Sequence, residues 1–331
     1  MRFRPRFCPH DPCRFLGRAR CQRRGFFRRQ CDGRLVQRFY CHRCRRTFSL
    51  QTFRLDYRLK KPALHLFLFK DFVSKVTHRQ SARTLGCTRR TVAHRLRLLS
   101  AHARAFHARA LARSSGRVGA SFQLDELESY ETDRRLQPVT MPVLIEKESY
   151  FLVHLEVAPM PARGGLRAYD RGRKAATEAR LGRRKSGSSA AVTRCFEALA
   201  RWVGPSWVPR IATDRKTSYP GLIRKAFARG AVHYRWDSKL PRNCHNPLFA
   251  INLTLAMLRD GVSRLVRRTW AAAKLRERLA DHAWIWLVYR NYVRAITNKV
   301  PHETPAMKLR VTAKKWRREE LFAWRVFAPA A

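Results

Sequence analysis

The chain has 331 residues, of which 71 are lysine or arginine and 23 are aspartate or glutamate, giving a formal net charge of +48. Such a charge repels itself unless a polyanion neutralises it, so the composition favours nucleic acid as the partner. Hydrophobic residues make up 45% of the chain, which excludes a disordered basic tail, and no single amphipathic helix collects the charge, which disfavours a membrane surface.

No targeting or membrane-spanning segment is expected from the sequence. Residues 1–5 are basic, but no apolar run follows them as it does in a secretion signal. The two most apolar stretches, residues 63–76 and 284–296, are short and contain Lys70 and Arg290. We therefore expect a cytoplasmic, nucleoid-associated protein that does not contact a membrane.

Six of the nine cysteines lie before residue 45. In a reducing cytoplasm this clustering favours a metal site over disulfides. Cys8 and Cys13 are separated by four residues and Cys41 and Cys44 by two, and a turn of either length brings both sulfurs to one side of a tetrahedral zinc. Residues 33–40, between the pairs, alternate like a strand that leads into the second pair, as in a zinc ribbon.

We predict a structural Zn²⁺ ion in a zinc-ribbon head over residues 1–55, because so short a basic segment buries too little apolar surface to fold alone. The predicted zinc ligands are Cys8, Cys13, Cys41 and Cys44. Three further side chains are candidate substitutes, namely Cys21, Cys31 and His10. The alternative interpretation is a set of reduced structural thiols without a metal.

A helix-turn-helix pattern follows, within a predicted domain over residues 60–112. Residues 64–76 form an apolar, helix-period stretch, after which Thr77 and Thr88 are placed to cap two further helices, with Gly86 suited to the positive-φ turn between them. The last of these helices is expected to present a basic face to the major groove of DNA, although a merely solvated helical hairpin is the alternative. The predicted DNA-binding residues of that face are Arg89, Arg90, His94, Arg95 and Arg97.

Beyond residue 118 the pattern changes to strands and helices, over a predicted large domain that ends near residue 298. The predicted strands cover residues 121–125, 139–145, 150–157, 209–214 and 231–236, and the predicted helices cover residues 190–203, 219–228, 246–270 and 275–296. A basic, low-complexity insertion at residues 161–189 is predicted to be a mobile loop, and residues 299–331 a basic C-terminal tail. This order predicts an α/β fold with a ribonuclease-H-like mixed sheet flanked by helices.

Two of the predicted strands end on an acid, at Asp125 and Asp214. Ligands of parallel and mixed sheets bind beyond the carboxyl ends of strands, so these two carboxylates are expected to converge there. Carboxylate oxygens suit Mg²⁺ or Mn²⁺, which support in-line phosphoryl transfer. Each aspartate on its own is more often a turn or cap residue, so the prediction depends on the placement of the pair.

Five segments carry the features of one known family, namely residues 41–49, 79–99, 124–126, 213–214 and 251–269. On these segments the chain resembles a bacterial insertion-sequence transposase of the DDE superfamily, of the type with an N-terminal zinc ribbon and helix-turn-helix. The resemblance implies a homo-oligomer that binds the inverted repeats of its own element as double-stranded DNA, cuts there with Mg²⁺ or Mn²⁺, and joins the freed 3′-hydroxyl ends to target DNA. It also implies that Asp125 and Asp214 are the first two acids of the catalytic triad.

The third position of that triad departs from the family pattern. The family places a glutamate on a helix after the last strand, with a basic residue seven positions later, where this chain has Asn252 and Arg259. An asparagine carbonyl is an uncharged oxygen ligand, and Asp260 is the alternative third ligand. Arg259 is expected either to contact a DNA phosphate near the scissile bond or to be a solvated helix charge. The arginines predicted to line the DNA channel beyond it are Arg264, Arg267 and Arg268.

Three functions remain open on the sequence. The first is a DNA transposase that catalyses metal-dependent strand cleavage and strand transfer. The second, suggested by the missing glutamate, is a catalytically inactive, transposase-derived DNA-binding protein. The third is another basic nucleic-acid-binding protein, such as an RNA-binding factor, without preference for inverted repeats. Short inverted repeats immediately outside the gene would favour the first function over the second.

Overall fold

The computed structural model describes residues 5, 7–11, 13–30, 33–114, 121–266 and 270–325. Within these ranges the buried apolar side chains form two separate clusters, a small one in the N-terminal head and a large one in the rest of the chain. No helix within them combines the length and the apolarity that crossing a bilayer requires.

The head is built on a three-stranded antiparallel sheet. Its strands, in the order β1-β2-β3 across the sheet, are β1 (Cys21–Arg28), β2 (Leu35–Cys41) and β3 (Thr47–Ser49). The prediction of a strand before Cys41 is confirmed by β2. The core under the sheet is small and aromatic, with the ring of Phe48 5.7 Å from that of Phe39 and 5.8 Å from that of Phe53.

Three helices follow the head, namely α1 (Leu64–Val73), α2 (His78–Thr84) and α3 (Arg89–Arg113). The two predicted caps are confirmed, because Thr77 and Gln80 form a capping box at α2 and the Thr88 hydroxyl accepts the Thr91 N–H at 3.1 Å. Gly86 has a φ of +55° in the turn between α2 and α3, as predicted. The helix α3 has 25 residues and continues well past the predicted pattern.

The large domain contains a mixed sheet of six strands. They are β4 (Ser121–Tyr130), β5 (Pro138–Glu146), β6 (Phe151–Leu155), β7 (Ala158–Pro159), β8 (Arg210–Asp214) and β9 (Val232–Trp236). The order across the sheet is β6-β5-β4-β8-β9, with β7 paired to β5. The strands β4, β5 and β6 are antiparallel, whereas β4, β8 and β9 run parallel. The predicted α/β class with a mixed sheet is therefore confirmed.

Helices cover both faces of this sheet and fill the C-terminal part. They are α4 (Ala168–Leu181), α5 (Ser188–Val203), α6 (Tyr219–Ala226), α7 (Phe249–Gly261), α8 (Arg276–Val288), α9 (Pro305–Lys308) and α10 (Arg318–Ala323). On one face, α5 and α6 contact β4 through the side chains of Trp202 and Tyr219. On the opposite face, the Ile251 N–H at the start of α7 donates to the Gln123 side chain on β4 at 2.9 Å.

Three predictions about these regions are wrong. The expected mobile loop at residues 161–189 contains α4, whose single buried side chain, Asp170, leaves no apolar periodicity to detect. The predicted helix over residues 246–270 stops at Gly261, where α7 approaches α8. The expected C-terminal tail is folded over its described residues, 299–325, since Leu321 is buried and the ring of Trp324 lies 5.3 Å from that of Phe106 on α3.

The three helices before the sheet share its hydrophobic core. Buried residues of α1 and α3, such as Leu68 and Leu96, belong to the same cluster as Phe151 of β6 and Ile285 of α8. The predicted helix-turn-helix domain is therefore not separated from the large domain by a boundary in the core.

Candidate active site and cysteine cluster

The parallel pairing of β4 with β8 brings the two predicted aspartates together. Ser121 pairs with Arg210 and Gln123 with Ala212, where the ladder ends. Asp125 and Asp214 each follow that last pair by two residues, and the charge of Asp214 acts on Asp125. Neighbouring strands are about 4.8 Å apart, so the two carboxylates leave the sheet side by side on one face. The prediction that Asp125 ends its strand is wrong, because β4 continues to Tyr130 along β5 and only β8 ends here.

The electrostatics of the pair reflect this proximity. Burial, together with the negative charges of Asp214 and Glu126, raises the pKa of Asp125 to about 6, although the hydrogen bond from the Glu126 N–H opposes the shift. The cationic side chain of Arg242, in the loop after β9, acts on Asp125 in the opposite direction. A site with two adjacent carboxylates and a nearby arginine attracts a divalent cation and its anionic substrate.

The start of α7 brings Asn252 to the same face of the sheet. The Gln123 side chain fixes this helix, donating to the Pro247 carbonyl at 2.7 Å and accepting the Ile251 N–H at 2.9 Å. Because side chains alternate along a strand, Gln123 and Asp125 share a face, so Asn252, in the first turn of α7, lies on the aspartate side. Its side chain is half-buried.

Two other predicted site residues of α7 have structural contacts. Arg259 donates to the Glu128 carbonyl of β4 at 2.9 Å and to the Leu265 carbonyl at 3.4 Å, so its guanidinium ties the helix to the strand. Asp260 is exposed, with its carboxylate 3.5 Å from the Lys75 ammonium. Eight residues beyond Asn252 on a helix that rises 1.5 Å per residue, Asp260 starts about 12 Å further along α7.

On the other face of β4, Glu126 is the centre of a buried polar network that the sequence did not predict. Its carboxylate accepts hydrogen bonds from the hydroxyls of Thr140 and Ser188 at 2.7 Å each and of Tyr219 at 2.9 Å, and it pairs with the Lys216 ammonium. Burial raises the pKa of Glu126, but these donors outweigh burial and hold that pKa below its usual range. An acid that takes the next alternate position after Phe122 and Leu124, with a lysine two residues after the second aspartate, is the signal that could have revealed the network.

The same two residues also contact the aspartates through their backbone. The Glu126 N–H donates to the Asp125 carboxylate at 2.7 Å, and the Lys216 N–H donates to the Asp214 carboxylate at 3.0 Å. Each aspartate is thus oriented by a residue whose side chain belongs to the buried ion pair on the opposite face of the sheet.

The four predicted zinc ligands come together in the head. The Cys8 and Cys44 sulfurs are 3.5 Å apart, the Cys13 and Cys41 sulfurs are 3.7 Å apart, and all four lie within 4.8 Å of one another. Zn–S bonds of about 2.3 Å in a tetrahedron require sulfurs about 3.8 Å apart, so the cluster has the dimensions of a Zn²⁺ site. Burial raises the pKa of Cys41, but the N–H groups of Cys44 and Arg43 and the neighbouring thiols lower it to about 7.

The candidate substitute ligands lie outside this cluster or outside the described residues. The His10 ring is 3.1 Å from the Thr47 carbonyl, which already uses one ring nitrogen. Cys21 is buried opposite Cys41 in the β1–β2 pairing, and Cys31 lies outside the residues that the structure describes. The four sulfurs can therefore form a complete tetrahedral set without these side chains.

The predicted basic face of α3 is exposed at four of its five positions. The exposed residues are Arg89, Arg90, His94 and Arg97. The placement of Arg95 on this face is wrong, because Arg95 follows Val92 by three residues, lies on the buried stripe and is 4% exposed. Its guanidinium contacts the His65 ring at 3.3 Å and the Lys61 carbonyl at 3.2 Å.

Of the three arginines predicted to line a DNA channel beyond α7, the structure describes Arg264. Because α7 ends at Gly261, Arg264 lies in a short 3₁₀ turn with its guanidinium 3.3 Å from the His78 ring. Burial and the charge of Arg278 lower the pKa of Arg264 to about 10. The prediction that Arg264 belongs to one long helix is wrong, whereas its place in a DNA channel stays a prediction. Arg267 and Arg268 lie outside the described residues.

No protein-family model matches the chain, and no curated protein matches it either. The function therefore has to be argued from the site itself. That site offers two adjacent carboxylates, an amide and a nearby arginine on one face of a sheet, in a strongly cationic chain with a four-cysteine head.

Proposed function

We propose that this chain is a DNA transposase with a ribonuclease-H-like catalytic domain, which cleaves DNA at the ends of its element and joins the 3′-hydroxyl ends to target DNA. The observation that carries the proposal is the proximity of Asp125 and Asp214, which lie two residues beyond the Gln123–Ala212 pair of the parallel strands β4 and β8 and interact electrostatically. The strand order β6-β5-β4-β8-β9, with three antiparallel strands followed by two parallel ones, supports the ribonuclease-H-like assignment.

The donor set suits Mg²⁺ or Mn²⁺, with Asp125, Asp214 and Asn252 as the residues that would hold it, since hard cations prefer oxygen ligands. When bound, such an ion stabilises the negative charge that develops on a phosphate during phosphoryl transfer. The chain's own contribution is to orient both carboxylates through backbone N–H groups, and to place the positive charge of Arg242 beside them.

The remaining parts of the chain support binding to DNA. The exposed basic face of α3, at Arg89, Arg90, His94 and Arg97, supports contacts to the bases and phosphates of double-stranded DNA. The four-cysteine cluster supports a structural Zn²⁺ ion in the head. Strand transfer requires two element ends to be held together, so the proposal includes a homo-oligomer on DNA.

The proposal is tested by incubating the protein with Mg²⁺ or Mn²⁺ and DNA that carries the repeats flanking its gene. We expect cleavage at the repeats by the wild-type protein and none by Asp125→Ala or Asp214→Ala, with DNA binding retained by both variants. Asp260→Ala is the matched control, because its exposed carboxylate lies away from the pair and we expect activity to be unchanged. Full activity in Asp125→Ala would refute the site.

The asparagine at position 252 favours a second candidate, a transposase-derived DNA-binding protein without catalysis, because the site then lacks its third negative charge. This candidate predicts salt-sensitive DNA binding that is independent of divalent cations, and no cleavage under any metal condition. Binding that shows no preference for DNA over RNA would instead favour a general nucleic-acid-binding protein.

A further inference from the structure

The last strand of the sheet carries an exposed stripe of large side chains. The strand β9 lies at the end of the sheet, and Val232, Tyr234 and Trp236 alternate along it. Their exposed fractions are 44%, 46% and 36%. Large rings standing in water at successive positions of one strand face are unusual unless something binds there.

The register places this stripe on the face of the two aspartates. Tyr234 pairs with Ala212 and Trp236 with Asp214 in the parallel β8–β9 ladder, and register partners project from the same face of a sheet. Trp236 is therefore the direct neighbour of Asp214, and Tyr234 lies one step further back along the strand. The stripe continues the candidate active site toward the open edge of the sheet.

The surroundings of the stripe are cationic. Arg210 pairs with Val232 at its start and is exposed, and Arg215 and Arg242 are exposed near its end. Arg235 alternates to the other face of β9, and its guanidinium donates to the Arg215 carbonyl at 2.9 Å, which adds positive charge to the same edge strand. Rings among exposed arginines fit a ligand with flat apolar faces and a phosphate backbone, and fit an apolar protein surface poorly.

We propose that Tyr234 and Trp236 form a stacking platform for unpaired bases beside the bond that is cut, so that the favoured substrate is DNA frayed or unstacked at that point. Alternate residues on a strand are about 6.6 Å apart, close to twice the 3.4 Å spacing of stacked bases, which leaves room for one base between two rings. Sheets that present aromatic side chains stack single-stranded bases in this way. The inference rests on the proposed function, because it assigns the stripe to the same DNA.

The experiment compares two fluorescein-labelled duplexes of one length at one salt concentration, one fully paired and one with several mismatched bases at an end, by anisotropy with the full-length protein. We expect the wild type to bind the mismatched duplex more tightly. Tyr234→Ala and Trp236→Ala should each weaken that binding by about 10-fold while leaving the paired duplex unaffected. Trp236→Phe should retain most of the preference because it keeps a ring.

Val232→Ala is the matched control, since it removes exposed apolar surface on the same strand without removing a ring. A 2-aminopurine base at the mismatched end provides a second readout, and we expect its fluorescence to be quenched by the wild type but not by Trp236→Ala. Circular dichroism melting of each variant confirms that the substitution of an exposed ring leaves the fold intact.

Equal effects of Trp236→Ala on both duplexes, or no effect on either, would overturn the stacking platform. A change in sedimentation mass without a change in preference would overturn it too and would assign the stripe to contacts between copies. Failure of the proposed function looks different, because the wild-type protein would then show no metal-dependent cleavage, whatever residue stands at position 236.

Discussion

Glu126 and Lys216 act on the candidate site from the face of the sheet that does not carry it. Their side chains form the buried ion pair, while their N–H groups orient the carboxylates of Asp125 and Asp214. The pair therefore ties the middle of β4 to the segment that follows β8, which sets the separation of the two aspartates. A divalent cation site depends on such positioning, because its ligands have to be held in place before the ion arrives.

We predict that Lys216→Met lowers the affinity of the protein for Mn²⁺ by about 10-fold and its free energy of unfolding by about 2 kcal/mol. The stability loss stays below that of a fully buried pair, because the lysine side chain is 34% exposed. Lys216→Arg keeps the charge and should restore most of both quantities. Electron paramagnetic resonance of Mn²⁺ and urea unfolding measure the two effects. Wild-type Mn²⁺ affinity in Lys216→Met would show that the pair has no positioning role.

Asn252 stands at the third position of the proposed metal site, where the catalytic and the non-catalytic candidate functions differ. We predict that Asn252→Asp tightens Mn²⁺ binding by about 10-fold, because a third carboxylate adds negative charge to the ligand set. Asn298→Asp makes the same change at an exposed position outside the site and should leave the affinity unaltered. The same titration by electron paramagnetic resonance checks both variants, and equal affinity in all three proteins would remove Asn252 from the site.

At the scale of elements, local sequence signals were sufficient where the structure depends on local contacts. The caps of α2 and α3 and the turn at Gly86 follow from neighbouring residues, and their prediction is confirmed. The strand β1, with five exposed residues among its eight, carries no regular alternation and was missed. Asp125 was misplaced within its strand, because pairing with β5 continues β4 to Tyr130, beyond the last residue pair that β4 forms with β8.

The helix α7 ends at a glycine that packs tightly against α8, a contact between residues that are distant in sequence. A Cβ atom added at Gly261 would lie 2.2 Å from the Trp286 indole nitrogen, so only glycine allows α7 to approach α8 this closely. We predict that Gly261→Ala lowers the free energy of unfolding by about 1–3 kcal/mol, as overpacking generally does. Gly221→Ala, in α6 with open space around the added Cβ, should be neutral or slightly stabilising. Urea unfolding compares the two, and a neutral Gly261→Ala would contradict the contact.

The head combines a small apolar core with four clustered cysteines that could hold a Zn²⁺ ion. We predict roughly one Zn²⁺ per chain, and unfolding of the head on chelation or in Cys41→Ser, because its apolar core is small. Cys21→Ser replaces a buried cysteine outside the four-sulfur cluster and should retain the metal. Elemental analysis and limited proteolysis of the head measure both outcomes. Metal-free protein from a purification without chelators would count against the prediction.

At the scale of the whole molecule, the number and order of elements were largely predictable, whereas the domain boundaries were not. Alternation and periodicity predicted the strands β5, β6, β8 and β9 and the helices α5 and α6. They could not reveal that α3 packs on α8 and that the C-terminal helices pack on α3, because such contacts join residues far apart in sequence. The two aspartates are also far apart in sequence, but the rule that ligands bind beyond the carboxyl ends of strands predicted their pairing. No such rule pointed to the Glu126 network behind them.

The shared core contains histidines that are held neutral, which makes the fold sensitive to acid. Burial lowers the pKa of His107 to about 4 and, with the charge of Arg264, that of His282 to about 3. Below a pH of about 6.5 the unfolded chain binds protons at these positions and the folded chain does not, so stability falls as the pH falls. Asp125 has the opposite effect, because its raised pKa means that the folded chain takes up this proton at a higher pH than the unfolded chain does. It is one group acting against several histidines.

We predict that the free energy of unfolding at pH 5 is lower than at pH 7 by about 2 kcal/mol or more, since each fully buried histidine contributes about 2 kcal/mol over that interval. Urea unfolding at the two pH values measures the difference. His107→Gln should reduce the pH dependence, even where it lowers stability at both values. Equal stability at pH 5 and pH 7 would contradict the assignment of neutral, buried histidines.

The continuity of α3 has a consequence for how such a chain can diversify. Its first turns carry the exposed basic face, while Leu96, Leu99 and Phe106 belong to the core that also holds the sheet. A helix anchored in this way cannot be exchanged between relatives as an independent module without cutting through packed side chains. Under the proposed function, a new preference for a DNA sequence would therefore have to arise by point substitution at the four exposed positions of α3. The inward-facing residues of the helix would stay unchanged.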